Sequence, residues 1–373
     1  EQIDSDSYAG LPPYTTYIAR TIFIHTLAYH QRLQGIERAD LRFSMVGPSM
    51  DIGFIDDAAK KFVEESGYLD DKQDKVLRFL TDINLNQLIR REARDNVEAE
   101  AVRNELNDRI RTIFQSPSSS FELALFPATP ADVPDDSNAE KPVMVILGYD
   151  AATIGSSSVK VPDLVERLYR SKGTSEEFRK NKNNVLFLVA DEAHRESMFD
   201  AMRRQLALEQ LRKPDRRNLL QPHQQQKVDE LYRTSKHAVA VTIQAAYRHL
   251  FYPSKDRVNG SRVDLAHSVI AKDESSADPG KGHKPVERLL KSLGKLRVSG
   301  DDPDSPDYIR DKTPLRSGRI TVAQLRDEFR RDPVLPILVG NNTFIRGIHN
   351  GVEHGDYVYQ KGELLWGQGD PPV

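Results

Sequence analysis

The sequence predicts a multi-domain chain of mixed α+β and α/β class, on three observations. Between residues 118 and 318, short apolar runs alternate with segments of helical periodicity, the order of an α/β layer with part of its sheet parallel. Near each end of the chain, two helices joined by a turn lead into a Tyr-led hairpin, the order of a winged helix. The 373 residues suffice for about two to three domains with buried cores. Together these predict two winged-helix-like modules flanking a central α/β domain.

Residues 1–36 read as a connector and a helix. Leu11-Pro12-Pro13 breaks a polar start, so 1–15 is expected as a linker, and Ile18, Ile22, Phe23, Leu27 and Leu33 recur near helical spacing over Thr16 to Leu33. The first winged-helix-like module spans 37–83. A short helix over Ala39 to Met45 meets the Gly47-Pro48-Ser49 turn, and Asp51 caps a helix running to about Ser66. Tyr68-Leu69 and Val76 to Leu80 then flank Asp70-Asp71-Lys72-Gln73-Asp74 as a hairpin with a charged tip. Residues 84–117 read as a long charged helix over Asn84 to Gln115, weakest from Arg94 to Glu100, where a break fits.

The α/β domain with a helical insert covers 118–318. Phe121 to Phe126, Val143 to Leu147 and Val185 to Val189 are expected strands, with helices over Val161 to Tyr169 and Glu192 to Leu211. A long helix is expected from Gln221 to Leu250, followed by weaker strand signals at His249 to Pro253 and Arg262 to Ile270. Lys272 to Gly282 reads as a polar loop, Pro285 to Leu293 as a helix and Val298 to Thr313 as an acidic connection. The second winged-helix-like module is 319–373. There Thr321 caps a helix to Arg331, Pro333 and Pro336 break it, and Asn342 starts a helix to about Glu353. Gly355 stops that helix, and Tyr357 to Tyr359 pairs with Glu363 to Trp366 around Lys361-Gly362.

Composition narrows the function. The chain has no cysteine, which removes disulfides, thiolate nucleophiles and Cys-ligated zinc together and fits a reducing cytoplasm. No window approaches the ~18 uninterrupted apolar residues of a membrane helix, and no signal peptide opens the chain, so a cytoplasmic location with no membrane partner is expected. A start at Glu1 rather than Met reads as an excised fragment. A net charge of −3 gives no global pull toward nucleic acid, so any such contact must come from a local patch.

The motif with the strongest chemical form is Asp191-Glu192-Ala193-His194, which follows the apolar run Val185 to Val189. A motor ATPase presents a magnesium-holding Asp and a water-activating Glu at a strand end in this way. Phosphoryl transfer also needs a glycine loop with Lys and Ser or Thr. The nearest match, Pro279-Gly280-Lys281-Gly282, lacks the upstream Gly and carries Gly where the hydroxyl belongs. An acidic residue just past a strand is also a good helix cap, and that is the expected role here, with no catalytic residue assigned.

The winged-helix-like modules are acidic, with four basic against seven acidic residues over Glu37 to Ser66 and six against seven over Arg319 to Val373. They are expected to pack on neighbouring domains or partner proteins rather than on phosphate. The basic stretch Arg203 to Lys236 holds nine basic against four acidic residues. Its candidate nucleic-acid contacts are Arg203, Arg204, Arg212, Lys213, Arg216 and Arg217, beside the competing reading of a solvated helix face. Interleaved aromatics that would stack on single strands are missing. The pairs His25/His30 and His349/His354 lie five apart and form no helical metal site, so no metal ligand is expected. Gly47-Pro48-Ser49-Met50 is no nucleophile elbow, and no hydrolase triad emerges.

Several segments together resemble the C-terminal half of the large bacterial P-loop, AAA-type ATPases catalogued as domain of unknown function 499. They are TIFIHTLAYH (Thr21 to His30), RFLTDINLNQLI (Arg78 to Ile89), FPATPADVPDD (Phe126 to Asp136), NNVLFLVAD, LLKSLGKL (Leu289 to Leu296) and ITVAQLRDEFRRDPVLPIL (Ile320 to Leu338), with the helix Phe344 to Val352. The resemblance implies a regulatory or coupling region whose ATP and magnesium site lies in an N-terminal ATPase domain absent from this sequence. It also implies partners among DNA methyltransferases and helicases in loci that look like phage defence. No position of this chain matches the family's nucleotide-binding motifs, so none is carried over. Arg20, just before the first matching helix, is expected near that missing core.

Overall fold

The computed structural model describes residues 2–27, 35–48, 50–69, 76–80, 84–136, 140–155, 159–271 and 277–369. Two compact units divide the chain, Glu1–Val102 with Arg203–Ser235, and Arg103–Met202 with Lys236–Val373. The first begins with helix α1 (Gln2–Ser7), where a linker was expected. The buried carboxylate of Asp4 accepts from the Thr15 amide at 2.8 Å, the Thr16 amide at 3.0 Å and the Thr16 hydroxyl at 2.7 Å. One polar side chain thus folds a polar segment.

Helix α2 (Tyr14–Thr26) follows, then strand β1 (Ile36–Glu37), helices α3 (Arg38–Met45) and α4 (Ile52–Glu65), and strand β2 (Val76–Leu77). Asp51 caps α4 by accepting from the Gly53 amide at 2.7 Å. Antiparallel pairing of Ile36 with Leu77, and of Leu69 with Phe79, ties the segment together across the two helices. Ile18, Ile22, Leu41, Ile55 and Leu69 make its core. Ser49, His30, Leu33 and the charged tip Asp70 to Asp74 lie outside the described residues.

The long helix expected over Asn84 to Gln115 is two, α5 (Leu85–Asp95) and α6 (Ala99–Phe114), broken inside the weak stretch. Asn84 caps α5, accepting from the Asn86 amide at 3.0 Å. Ile89 of α5 packs with Ala207, Leu208, Leu211, Leu220 and Val228. This second apolar cluster is why 203–235, read from sequence as the helical insert, groups with the N-terminal residues.

The other unit is built on a mixed sheet. Strands β3 (Glu122–Leu125), β4 (Val143–Ile146) and β5 (Thr153–Ile154) precede helix α7 (Asp163–Arg170) and the small hairpin β6 (Ser171–Lys172) and β7 (Glu177–Phe178). Strand β8 (Val185–Asp191) then leads into helices α8 (Glu192–Leu211), α9 (Pro214–Arg217) and α10 (Pro222–Ala246), followed by strands β9 (Tyr247–Pro253) and β10 (Leu265–Val269). The order is β10-β9-β8-β4-β3. β3, β4 and β8 run parallel, β5 adds beside the end of β8, and β9 and β10 are antiparallel.

Val185 to Ala190 are all buried, as the near-continuous apolar run of a central parallel strand requires. The long helix expected to Leu250 stops at Ala246 instead. Tyr247, Leu250 and Phe251 are buried strand residues whose backbone pairs with β8, and that pairing overrides helical continuation.

The C-terminal part adds helix α11 (His283–Ser292), strand β11 (Leu296–Arg297), helices α12 (Pro306–Lys312) and α13 (Val322–Arg331), strand β12 (Ile337–Leu338), helix α14 (Asn342–Glu353) and the hairpin β13 (Tyr359–Lys361) with β14 (Leu364–Trp366). The expected acidic connection therefore holds β11 and α12, the latter capped by Ser305 with Pro306 at its first position. Thr321 and Gln324 form a capping box on α13.

Lys295 is buried, and its ammonium donates to Asn183 Oδ1 at 2.8 Å and to the Pro333 and Leu335 carbonyls, both at 2.7 Å. Asn183 Nδ2 in turn donates to the Phe329 carbonyl at 2.7 Å and the Leu335 carbonyl at 3.0 Å. Three acceptors match three ammonium protons, and burial pushes the lysine down to about 7. Of the expected architecture, the mixed α/β character and the central sheet are what the structure displays.

Candidate functional site

The buried run of β8 carries the chain to the end of the parallel strands, where ligands of open α/β sheets bind. Asp191 is its last residue and Glu192 the first of α8. Asp191 Oδ1 accepts from the Ala193 amide at 2.9 Å, the geometry of a helix cap. Its other oxygen lies 3.2 Å from His194 Nδ1 and 3.5 Å from His249 Nε2. From β9, His249 Nδ1 meets Nε2 of His267 on β10 at 2.9 Å, with the two rings stacked 5.1 Å apart. If Asp191 receives the His249 Nε2 proton, His249 Nδ1 must accept from His267, so each ring carries one proton.

The electrostatics agree with that assignment. Burial would raise the Asp191 carboxyl, but the Ala193 amide and the His249 and His194 imidazoles outweigh it and hold it below the usual range. Burial lowers His249, with Asp191 opposing. Burial and the neighbouring ring push His267 down to about 4. Near neutral pH the row is one carboxylate followed by two neutral imidazoles.

Glu192 is exposed, and its carboxylate approaches the backbone of Gly155. Beside it, Arg195 pairs with Asp150, which also lies 3.3 Å from Arg103. Buried Tyr149 packs edge-on to Phe199, and burial with the Asp150 charge pushes its hydroxyl up to about 12. These contacts lock the turn after β4. Neither the segment after β3, which enters a short turn at Pro130–Asp132, nor Gly148-Tyr149-Asp150 after β4 carries the glycine loop with Lys and Ser or Thr that cradles phosphates. Among the described residues no group of three or more His, Asp or Glu is placed to hold a metal ion.

The structure separates the six basic candidates. Arg212 Nε and Arg217 Nη2 both reach Asp229 at 2.8 Å, and Arg212 also lies over the Tyr232 ring at 4.3 Å. The two arginines hold the Asp229 carboxyl down to about 2. Their charge is partly spent on closing the α9 turn against α10. Arg204, Lys213 and Arg216 are exposed, and Arg203 is half-buried on α8. Arg20 is exposed on α2.

The row from Asp191 to His267 escaped the sequence reading. Its members are 76 positions apart, and a lone His in each of two weak strand signals carries no spacing to find. Set against known proteins, the chain matches no protein family, no curated protein and no solved structure.

Proposed function

We propose that this chain is a non-catalytic regulatory and coupling region of a larger AAA-type ATPase that acts on DNA in phage defence. Its partners would be the N-terminal ATPase domain of the same protein, which holds ATP and magnesium, and a DNA methyltransferase or helicase. The single observation that carries the non-catalytic part is the engagement of Asp191. One carboxylate oxygen caps α8 and the other lies 3.2 and 3.5 Å from two imidazoles, surroundings that favour a capping role for this acid over magnesium binding. The ATPase context rests on the resemblance of the segments quoted above.

In this reading α3, α4 and the Leu69–Phe79 pair form the first winged-helix module, and α13, α14 and the β13–β14 hairpin the second. Their acidic balance suits docking on protein rather than on phosphate. Calorimetry and a phosphate-release assay with magnesium and ATP test the proposal. No hydrolysis is expected, and no nucleotide binding that depends on Glu192. Tight magnesium-dependent binding abolished by Glu192→Gln would restore the catalytic reading.

A second reading, a nucleic-acid contact through the basic stretch, is favoured by the exposed Lys213 and Arg216, which have no ion-pair partner among the described residues. A gel shift at low salt should then fall steeply with salt and with the double change Arg216→Ala and Arg217→Ala. No shift at low salt removes this reading.

A further inference from the structure

The chain contains two Asn-Gly pairs, Asn259-Gly260 and Asn350-Gly351, and the fold treats them in opposite ways. Such a pair is prone to attack on itself. Glycine has no side chain to shield its amide nitrogen or to restrict the rotation that brings it against the asparagine carboxamide.

Asn259 and Gly260 lie in the connection between β9 and β10, and both are exposed. The Ser261 amide donates to the Val258 carbonyl at 2.9 Å, and of the two residues between them only Gly260 has a positive φ, +75°. That combination is a type II β-turn with Asn259 and Gly260 at its central positions. The peptide joining the central residues takes no part in the turn's own hydrogen bond, so the Gly260 amide is left to solvent. Among the described residues neither that amide nor the Asn259 carboxamide has a hydrogen-bond partner. A Cβ placed on Gly260 would meet nothing within 4 Å, so the turn has room to rotate.

Asn350 and Gly351 lie inside α14 instead, where backbone amides bond to carbonyls four residues back. The Asn350 carbonyl accepts from the His354 amide at 3.0 Å, and the Gly351 carbonyl accepts from the Asp356 and Tyr357 amides at 2.8 and 3.0 Å. Gly351 is buried, and the Tyr357 ring leaves no room for a Cβ there. Turning the Gly351 nitrogen toward the Asn350 carboxamide would break all of these contacts.

We propose that Asn259 is a site of non-enzymatic deamidation, with water as the only co-reactant. The Gly260 amide nitrogen gives up its proton and bonds to Asn259 Cγ. The Cγ–Nδ2 bond breaks, and Nδ2 leaves with that proton as ammonia, closing a cyclic imide. Water then adds to one of the two imide carbonyls, and the bond from that carbon to the Gly260 nitrogen breaks. Addition at Cγ leaves aspartate, and addition at the main-chain carbonyl leaves isoaspartate, whose backbone runs through the side chain. Nothing is oxidised or reduced. Either product adds a carboxylate to an exposed turn of a chain whose net charge is already −3. This chemistry is independent of the coupling role and of the Asp191 end of β8.

Peptide mapping by mass spectrometry tests it, on the full 373-residue chain incubated at mildly alkaline pH in water enriched in oxygen-18. The peptide holding Asn259 is expected to exchange its NH2 for labelled OH, faster as pH rises because the attacking amide must lose its proton. Its rate should exceed that at Asn350 by about tenfold or more, since α14 must open before Gly351 can attack. In denaturing urea the two rates should converge, which separates protection by the fold from local sequence. Asn259→Gln should remove the acidic product at that peptide without lowering the unfolding midpoint. An Asn259 amide that survives in the folded chain but not in urea, a product without label, equal rates at the two asparagines in the fold, or a tenfold difference that persists in urea would overturn the proposal.

Discussion

The Asp191 carboxylate at the end of β8 and the Gln87 carboxamide on α5 are both poorly exposed polar groups, but they differ in what surrounds them. Asp191 meets an amide and two imidazoles, whereas Gln87 meets no partner among the described residues. In the motif with the catalytic appearance the carboxylate is capped by an amide, while His194 Nδ1 is left without a hydrogen bond. The unpaired amide lies in a helix that looks merely charged. Residue type names a candidate, and the state of its hydrogen bonds decides between structure and recognition.

Four measurements break or sharpen that contrast. The largest effect is expected where satisfaction is most complete. Asn183→Ala leaves the buried Lys295 ammonium one acceptor short and the Phe329 carbonyl without its side-chain donor, while the Leu335 carbonyl keeps Lys295, and urea titration should show a loss of about 3 kcal/mol. Asp191→Ala should cost about 1 kcal/mol for the lost cap, with Asp191→Asn costing less because its side-chain oxygen still accepts from Ala193. An Asp191→Ala protein as stable as the parent would remove the capping role. Gln87→Leu should instead be neutral or stabilising by up to about 1 kcal/mol, since an unpaired buried amide is exchanged for an apolar group of similar size. A clear loss of stability there would mean that the amide is already satisfied.

The smallest effect is in the pH profile. His249 and His267 have lowered pKa values in the fold, so the unfolded chain takes up their protons first, near about 6.5. Stability contributed by the neutral rings is full above that pH and declines as pH falls toward about 4, where His267 itself titrates in the fold. Asp191 is also depressed, so its contribution is present above about 3.9 and is lost only as pH falls through its folded value. A thermal melt series from pH 7 to about 4 should thus lose stability first through the histidines, and His267→Gln should flatten that first phase.

Much of the fold was legible because its signals are local. Asp51 and Thr321 announced helix starts, and the Val185 to Val189 run announced a buried central strand ending where helix α8 begins. Errors fell where a distant partner decides. Asp4 folds a segment that reads as a linker, and pairing with β8 turns Tyr247 to Leu250 from helix into strand. The Asp191 end of β8 was half legible. Its cap was foreseeable from position alone, but its two strand histidines were not.

By itself the sequence determined the helix caps, the apolar strands, the missing phosphate loop and the acidic balance of the terminal segments. These depend on residue identity and on spacings within a few turns. Only the tertiary structure decided that Asp191 is engaged by His249, that Arg212 and Arg217 are drawn to Asp229, and that Gln87 is buried without a described partner. The physical reason is that satisfying a polar group depends on which atoms come within about 3 Å of it. Chain folding sets that distance, and no local spacing encodes it.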